Sequence, residues 1–131
     1  MNIIITGGCG FVGSALCLFL KKYLKNCKIL SIDNLSKNYS KFNQKILNKN
    51  KIKNKKIDLG NSNAFDNIDF KADYIIDCSA EPAVEIKKKK TVKVIESNFL
   101  STVNILQKVK KDNSKLIFIS SSRVYPITES Y

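Results

Sequence analysis

The sequence predicts an α/β protein, built as a doubly wound parallel sheet between two layers of helices. Short apolar segments alternate with longer amphipathic segments along the chain, which is typical of parallel sheets with crossover helices. The first apolar segment, Asn2–Thr6, shows no alternation of polar residues, as expected for a strand covered on both faces. Three glycines follow it at a spacing of three residues, Gly7, Gly10 and Gly13.

Length and hydropathy bound the class of protein. A chain of 131 residues with 44% hydrophobic residues fits one folded domain, which we assign to residues 1–131. No apolar run approaches the roughly 18 residues of a membrane span. The first apolar segment lacks the basic leader of a signal peptide. We therefore expect a cytoplasmic protein that does not bind a membrane.

The net charge of +12 raises the question of nucleic-acid binding. The basic residues are almost all Lys, concentrated in residues 49–56 and 87–90, and Arg123 is the only Arg. Specific nucleic-acid sites usually add Arg and interleaved aromatic residues. We therefore interpret these segments as solvated surface and predict no specific nucleic-acid partner. The positive field still favours anionic ligands such as nucleotides.

The four cysteines, at positions 9, 17, 27 and 78, form no C-x-x-C pair, and the chain has no His. We therefore predict no metal site and expect reduced thiols. Cys9 lies within the glycine turn, where it is either a reactive thiol or a small tolerated side chain. We favour the second interpretation.

Hydrophobic periodicity predicts five strands and four helices. The strands are Asn2–Thr6, Lys28–Asp33, 55–59 (towards a sheet edge), 72–78 and 115–120. The helices are 11–25, 39–47, 61–67 and 91–111. For the first helix we predict a buried face of Val12, Leu16, Phe19, Leu20, Tyr23 and Leu24. For the last we predict Val92, Ile95, Phe99, Val103, Leu106 and Val109.

The glycine turn between a strand and a helix is typical of a Rossmann-like dinucleotide site. Gly7 allows the tight turn, Gly10 allows the backbone to approach a pyrophosphate, and Gly13 allows the helix to pack closely on the strand. The N-terminus of the helix offers N–H groups and partial positive charge to the phosphates. Asp33 ends the next strand, about 20 residues after the turn, where it can accept hydrogen bonds from the adenosine ribose. It would repel a 2′-phosphate, so we predict NAD as the cofactor.

Several motifs resemble those of the extended short-chain dehydrogenase/reductase family, the nucleotide-sugar epimerases and dehydratases. TGGCGFVG resembles the family's T-G-G-x-G-F-[IVL]-G, and DNLS after the second strand resembles its ribose-binding segment. DCSA stands where the family has H-x-A-A, with Asp77 in place of the His. ESNFLSTVNIL resembles the family's N-[VIL]-x-G-T-x-N-L-L, with Ser101 in place of the Gly. The resemblance implies cofactor contacts at Gly7, Gly10, Phe11, Val12, Gly13, Asp33, Asn34, Asp58, Leu59, Ser79, Ala80 and Asn98.

The segment SSSRVYP resembles the family's S-S-[ST]-x-x-V-Y-G, which implies that Ser121 is the catalytic hydroxyl. The family's Tyr-x-x-x-Lys couple is missing, since no Tyr is followed four residues later by Lys. Within the family, SSSRVYPI, AEPAV and DNLS are most similar to the branch around CDP-paratose (CDP-tyvelose) 2-epimerase. The resemblance covers about the first half of a family member.

These observations favour the NAD-binding half of a nucleotide-sugar epimerase or dehydratase that is inactive alone. The chain is then a fragment, which we favour, or half of a split enzyme. The expected partners are a nucleotide sugar, a separate C-terminal chain and further copies in an oligomer. The alternatives are a non-catalytic dinucleotide-binding or regulatory module and, less favoured, a basic nucleic-acid-binding protein.

Overall fold

Five parallel strands form the sheet in the computed structural model, which describes residues 1–81 and 91–120. They are β1 (Asn2–Thr6), β2 (Lys28–Asp33), β3 (Lys53–Lys56), β4 (Tyr74–Asp77) and β5 (Lys115–Phe118), in the spatial order β3-β2-β1-β4-β5. The helices are α1 (Phe11–Tyr23), α2 (Asn38–Lys49), α3 (Thr91–Ile95) and α4 (Ser101–Asp112), with a π-helical turn, Glu96–Leu100, joining α3 to α4. The predicted Rossmann-like parallel sheet is confirmed.

The order of the strands reverses at β1, which lies between β2 and β4. Thr6 at the end of β1 pairs with Ile32 on one side and with Asp77 on the other. The carboxyl ends of the three strands therefore meet at one edge of the sheet. In open α/β sheets, ligands bind at such a switch point.

Each face of the sheet carries its own core. Ile3 and Ile5 point to one face and pack with Cys17 of α1 and Leu47 of α2. Ile4 points to the other face and packs with Ile105 of α4. The alternation along β1 thus gives three layers with buried apolar residues on both sides, as the unbroken run of isoleucines predicts.

The buried face of α1 differs from the prediction. Val12, Phe19 and Tyr23 are exposed, whereas Gly13 and Cys17 are buried and Leu16, Leu20 and Leu24 pack against the core. The close contact of Gly13 with the glycine turn fixes the rotation of the helix about its axis. The face nearest the sheet is therefore the one that carries Gly13 and Cys17.

The predicted apolar face of residues 91–111 is wrong for most of its length. Val92, Ile95, Phe99, Val103 and Leu106 are exposed, and only Val109 packs against the core. The π turn inserts an extra residue and rotates the residues before it by roughly 100° relative to α4.

In α4 the buried positions are largely polar because their side chains bond to neighbouring elements. Lys108 Nζ donates to Asp112 Oδ1 at 2.9 Å, and Asp112 Oδ2 accepts the Ala72 N–H at 2.8 Å. Asn104 donates to the carbonyls of Leu59 and Asn61 at 2.7 and 2.8 Å. A pattern based on hydrophobicity alone cannot detect such a face.

The remaining differences concern boundaries and one short helix. β3 begins two residues before the predicted strand and ends three residues before it, at the edge of the sheet as expected. α2 is slightly longer than predicted. Residues 61–67 form successive turns instead of a helix. No helix in the described part of the chain is both long and apolar enough to span a bilayer.

Candidate functional site

The glycine turn packs tightly between the ends of β1 and β4. Gly7 has φ +59°, and a Cβ there would lie 2.6 Å from the Cys78 carbonyl oxygen. A Cβ at Gly13 would overlap the Gly7 carbonyl oxygen. The turn therefore requires glycine at Gly7 both for its left-handed conformation and for space, and at Gly13 for helix packing.

The first turn of α1 has free N–H groups directed towards the same edge of the sheet. Gly10 is the N-cap and has no side chain that could accept a hydrogen bond from the first turn, which contains no acidic residue. The Gly10 N–H itself donates to the Gly7 carbonyl at 2.8 Å. The N-terminus of a 13-residue helix is thus left with unsatisfied donors and partial positive charge.

Asp33 connects the end of β2 to the glycine turn. Its Oδ2 accepts the Cys9 N–H at 3.0 Å, and its Oδ1 accepts the Leu35 N–H at 2.8 Å. The residue is 9% exposed, so the carboxylate is held in one position. Each carboxylate oxygen has a second lone pair, which leaves the group able to accept hydrogen bonds from a ligand hydroxyl.

A cleft of about 350 Å³ lies at the carboxyl ends of β1, β2 and β4. Eleven of the twelve predicted cofactor residues line it: Gly7, Gly10, Phe11, Val12, Gly13, Asp33, Asn34, Asp58, Leu59, Ser79 and Ala80. Asn98 does not line it, and Ser121 lies outside the described residues. The volume falls in the usual range of small-molecule sites.

Asp77 shapes the wall of the cleft that follows β4. Its Oδ1 accepts hydrogen bonds from Thr6 Oγ1 at 2.6 Å and from Ser79 N–H and Oγ at 2.9 and 2.6 Å. Among the described residues, its buried Oδ2 has no hydrogen-bond partner. The Asp that replaces the family His therefore fixes the backbone turn at Ser79.

Asn98 stabilises the same wall through two hydrogen bonds to the backbone of Glu81. Its Oδ1 accepts the Glu81 N–H at 2.7 Å, and its Nδ2 donates to the Glu81 carbonyl at 3.2 Å. This contact comes from the π turn, an irregularity that often occurs near functional sites. In this structure Asn98 supports the loop after β4. Its contact with a cofactor stays a prediction.

The wall of the cleft that follows β3 contains the predicted Asp58 and is held by Asn104, which was not predicted. Asp58 is exposed on the cleft, where its Oδ1 accepts the Gly60 N–H at 3.1 Å. Asn104, through the bonds described above, anchors the backbone at Leu59. The sequence signal was available, since Asn104 is the second Asn of the segment resembling N-x-x-G-T-x-N-L-L.

Further residues of the cleft were missed, among them Ser36, Lys37, Tyr39, Glu81, Ser97 and Ser101. Lys37 and Tyr39 lie a few residues after the end of β2, and Glu81 lies a few residues after the end of β4. This closeness to strand ends could have predicted them. Among the described residues, the charged ones that line the cleft are Asp33, Asp58, Glu81 and Lys37. This part of the lining is therefore more acidic than basic.

The cysteines near the site are protonated thiols at neutral pH. Burial and the nearby Asp33 raise the pKa of Cys9 to about 11. Burial raises the pKa of Cys17 to about 12 and, together with Asp77, that of Cys78 to about 11. High pKa values disfavour the nucleophilic thiolate. Within residues 1–81 and 91–120, no group of three potential metal ligands is found.

Comparison with known proteins agrees with this geometry. Residues 3–130 match the NAD dependent epimerase/dehydratase family. The chain is 33% identical to UDP-N-acetyl-alpha-D-glucosaminuronate decarboxylase of Bacillus cytotoxicus, over 93% of this chain and 37% of the relative. It is 34% identical to dTDP-D-glucose 4,6-dehydratase of Dictyostelium discoideum, over 95% of this chain and 30% of the relative.

A solved structure of UDP-glucose 4-epimerase from Bifidobacterium longum, in complex with NAD+ and UDP, has the same fold. The TM-score is 0.73 at 27% identity, over 98% of this chain and 41% of the epimerase. The chain therefore spans well under half the length of these relatives. By sequence and by fold, it belongs to the NAD-dependent epimerase/dehydratase family, within the extended short-chain dehydrogenases/reductases.

Proposed function

We propose that this chain is the NAD-binding part of a nucleotide-sugar epimerase or dehydratase. The observation that carries the proposal is the convergence of three features on one cleft. These are the glycine turn, the uncapped N-terminus of α1 and the fixed carboxylate of Asp33. Together they offer complementary groups to a pyrophosphate and to a ribose, which a dinucleotide carries side by side.

The cleft suggests how each part of NAD is held. The N–H groups at the start of α1, beside Gly10, would bind the pyrophosphate. Asp33 would accept hydrogen bonds from the adenosine ribose, with Asn34 beside it, while Asp58 and Leu59 would border the adenine. The backbone at Ser79 and Ala80 would border the nicotinamide half, because it lies on the opposite side of β1.

The bound NAD would supply the chemistry by accepting a hydride from a sugar carbon and returning it. The role of this chain is to bind and orient the dinucleotide. Ser121, three residues after β5 in the sequence, is proposed to donate a hydrogen bond to the sugar oxygen that is oxidised. The substrate would be a nucleotide sugar, and the branch around CDP-paratose 2-epimerase remains the predicted relative.

Turnover requires a further polypeptide segment in this proposal. The sequence contains no Tyr-x-x-x-Lys couple to move the sugar proton. β5 lies at one edge of the described sheet. The apolar residues Ile117, Phe118 and Ile119 near its end are nevertheless 46–51% exposed, which is typical of a strand that further structure would cover. The opposite edge, β3, carries exposed Lys53, Lys55 and Lys56, which discourage edge pairing.

The proposed partner is therefore a polypeptide that carries the rest of the family fold, either continuous with this chain or separate, and pairs with β5. A downstream reading frame that encodes Tyr-x-x-x-Lys would support it. An oligomer and a cytoplasmic location stay predictions, to be tested by light scattering and by cell fractionation.

Binding of NADH to the 131-residue chain, followed by nucleotide fluorescence, tests the core of the proposal. The chain has no Trp to contribute to the signal. Gly10→Val should abolish binding, because its side chain would fill the space beside the start of α1. A Cβ at Gly10 would lie 3.0 Å from the Gly7 carbonyl oxygen, so circular dichroism must first show that the variant is folded. Ala15→Val, on the exposed side of α1, should bind like the wild type.

Absence of NADH binding by the folded wild-type chain would refute the proposal. We also expect no epimerase or dehydratase turnover by this chain alone. If adding the proposed partner polypeptide gave no turnover either, a non-catalytic dinucleotide-binding module would be favoured. DNA binding that survives Gly10→Val and falls steeply with salt would favour the nucleic-acid alternative.

A further inference from the structure

An ion pair joins the two sides of the cleft. Lys37 Nζ lies 2.8 and 2.9 Å from the two carboxylate oxygens of Glu81. Lys37 immediately precedes α2, in the connection that follows β2, and Glu81 lies shortly after the end of β4. Both residues line the cleft, and Lys37 is the only cationic residue among the described residues that do so.

The topology places this pair across the glycine turn. β2 and β4 are not neighbours, because β1 lies between them. Their ends are therefore separated by two strand spacings, roughly 10 Å. A contact between the segments that follow β2 and β4 must pass over the end of β1, where the glycine turn begins. The cleft keeps a volume of about 350 Å³ with the pair formed, so the pair bounds the cavity without filling it.

Both ends of the pair are anchored. The backbone of Glu81 is held at its N–H and at its carbonyl by Asn98. The carbonyl of Lys37 accepts the Ser40 N–H at 3.0 Å, in the first turn of α2. The side chains are 38% and 22% exposed for Lys37 and Glu81, as expected at the rim of a cleft. Only the side chains need to move for the pair to open.

We propose that Lys37 and Glu81 form a strap that closes over the bound dinucleotide and slows its release. The proposal rests on the proposed function, since it assigns two further residues to the same site. The strap lets the ligand enter when the pair is open and retains it when the pair forms above the pyrophosphate. Because the pair lies at a half-exposed rim, we expect a modest effect, about threefold to fivefold on the rate of release.

The test is the dissociation rate of NADH in stopped-flow displacement by excess NAD. Lys37→Met and Glu81→Gln should each release NADH about threefold to fivefold faster, and the double variant should release it no faster than either. The exchanged pair, Lys37→Glu with Glu81→Lys, should restore slow release. Lys41→Met, which removes an exposed lysine of α2 that does not line the cleft, should leave the rate unchanged. High salt should reduce the difference between wild type and single variants.

Each other outcome decides against the strap. If the wild type binds NADH but the single variants release it at the wild-type rate, the strap is wrong and the proposed function stands. If the single variants bind faster and release more slowly, the pair obstructs the cleft. Additive effects in the double variant would mean that the two side chains act separately. A folded wild type that binds no NADH overturns the proposed function and the strap with it.

Discussion

Asp33→Asn tests the residue on which both the fold of the turn and the cofactor prediction depend. In the wild type, the two carboxylate oxygens accept the backbone N–H groups of Cys9 and Leu35 at 3.0 and 2.8 Å. An Asn amide has one acceptor oxygen and one NH₂ donor. Whichever way the amide is oriented, one of the two backbone donors faces another donor, and the residue is too buried for water to compensate fully.

The expected loss follows from these two bonds. A hydrogen bond to a charged group contributes about 1.5–3 kcal/mol, and the bond that remains is weakened because its acceptor is now neutral. We expect the free energy of unfolding to fall by about 2–3 kcal/mol. NADH binding should weaken by about 10-fold to 100-fold, because the ribose hydroxyls lose a carboxylate acceptor of similar strength.

Urea unfolding followed by circular dichroism gives the first quantity, and NADH titration gives the second. Asp66→Asn is the matched control, since Asp66 is exposed and lies outside the cleft; it should change neither quantity by more than about 0.5 kcal/mol. Unfolding of Asp33→Asn at the wild-type urea concentration would refute the stabilising role of the two carboxylate hydrogen bonds. If Asp33→Asn lowered the free energy of unfolding but left the NADH affinity unchanged, Asp33 would be a structural residue and not part of the cofactor site.

Two further predictions concern stability. Asp112→Asn should lower the free energy of unfolding in urea by about 3–5 kcal/mol, because it leaves buried Lys108 without a charged partner. Asp112→Asn combined with Lys108→Met should lower it clearly less. Equal losses in the two variants would contradict this. Since burial raises the thiol pKa of Cys9 and Cys78 to about 11 and of Cys17 to about 12, the folded chain retains these protons longer than the unfolded chain. Stability should therefore fall as pH rises from 9 towards 11, and replacing the three cysteines with Ala should flatten that dependence in urea unfolding.

The sequence predicted the fold and half of the described residues that line the cleft because both depend on strand ends. A run such as Asn2–Thr6 is buried on both faces, and its end fixes where Gly7 begins the turn. Parallel strands then bring Asp33 and Ser79 to the same edge without further information. Such features are local in sequence, and the alternation of strands and helices supplies the rest.

The features that the sequence did not predict depend on contacts between distant segments. Phe19 and Leu106 continue an apolar period, yet they are exposed, because Gly13 fixes the rotation of α1 and the polar contacts of Asn104 fix that of α4. Likewise, the pairing of Lys37 with Glu81 joins residues 44 positions apart. Hydrophobic periodicity carries no information about which loop a buried amide or an ion pair will reach.

The charge of the protein and the charge of the described part of its cleft favour different ligands. The chain carries +12, yet Asp33, Asp58 and Glu81 outnumber Lys37 among the described residues that line the cleft. A site for a nucleic-acid backbone needs side-chain cations along its length. A dinucleotide site can instead direct carboxylates at neutral ribose hydroxyls and neutralise its single pyrophosphate with helix N–H groups. The acidic residues in the described part of the lining therefore favour the dinucleotide, and the positive charge of the chain adds a long-range field that attracts it.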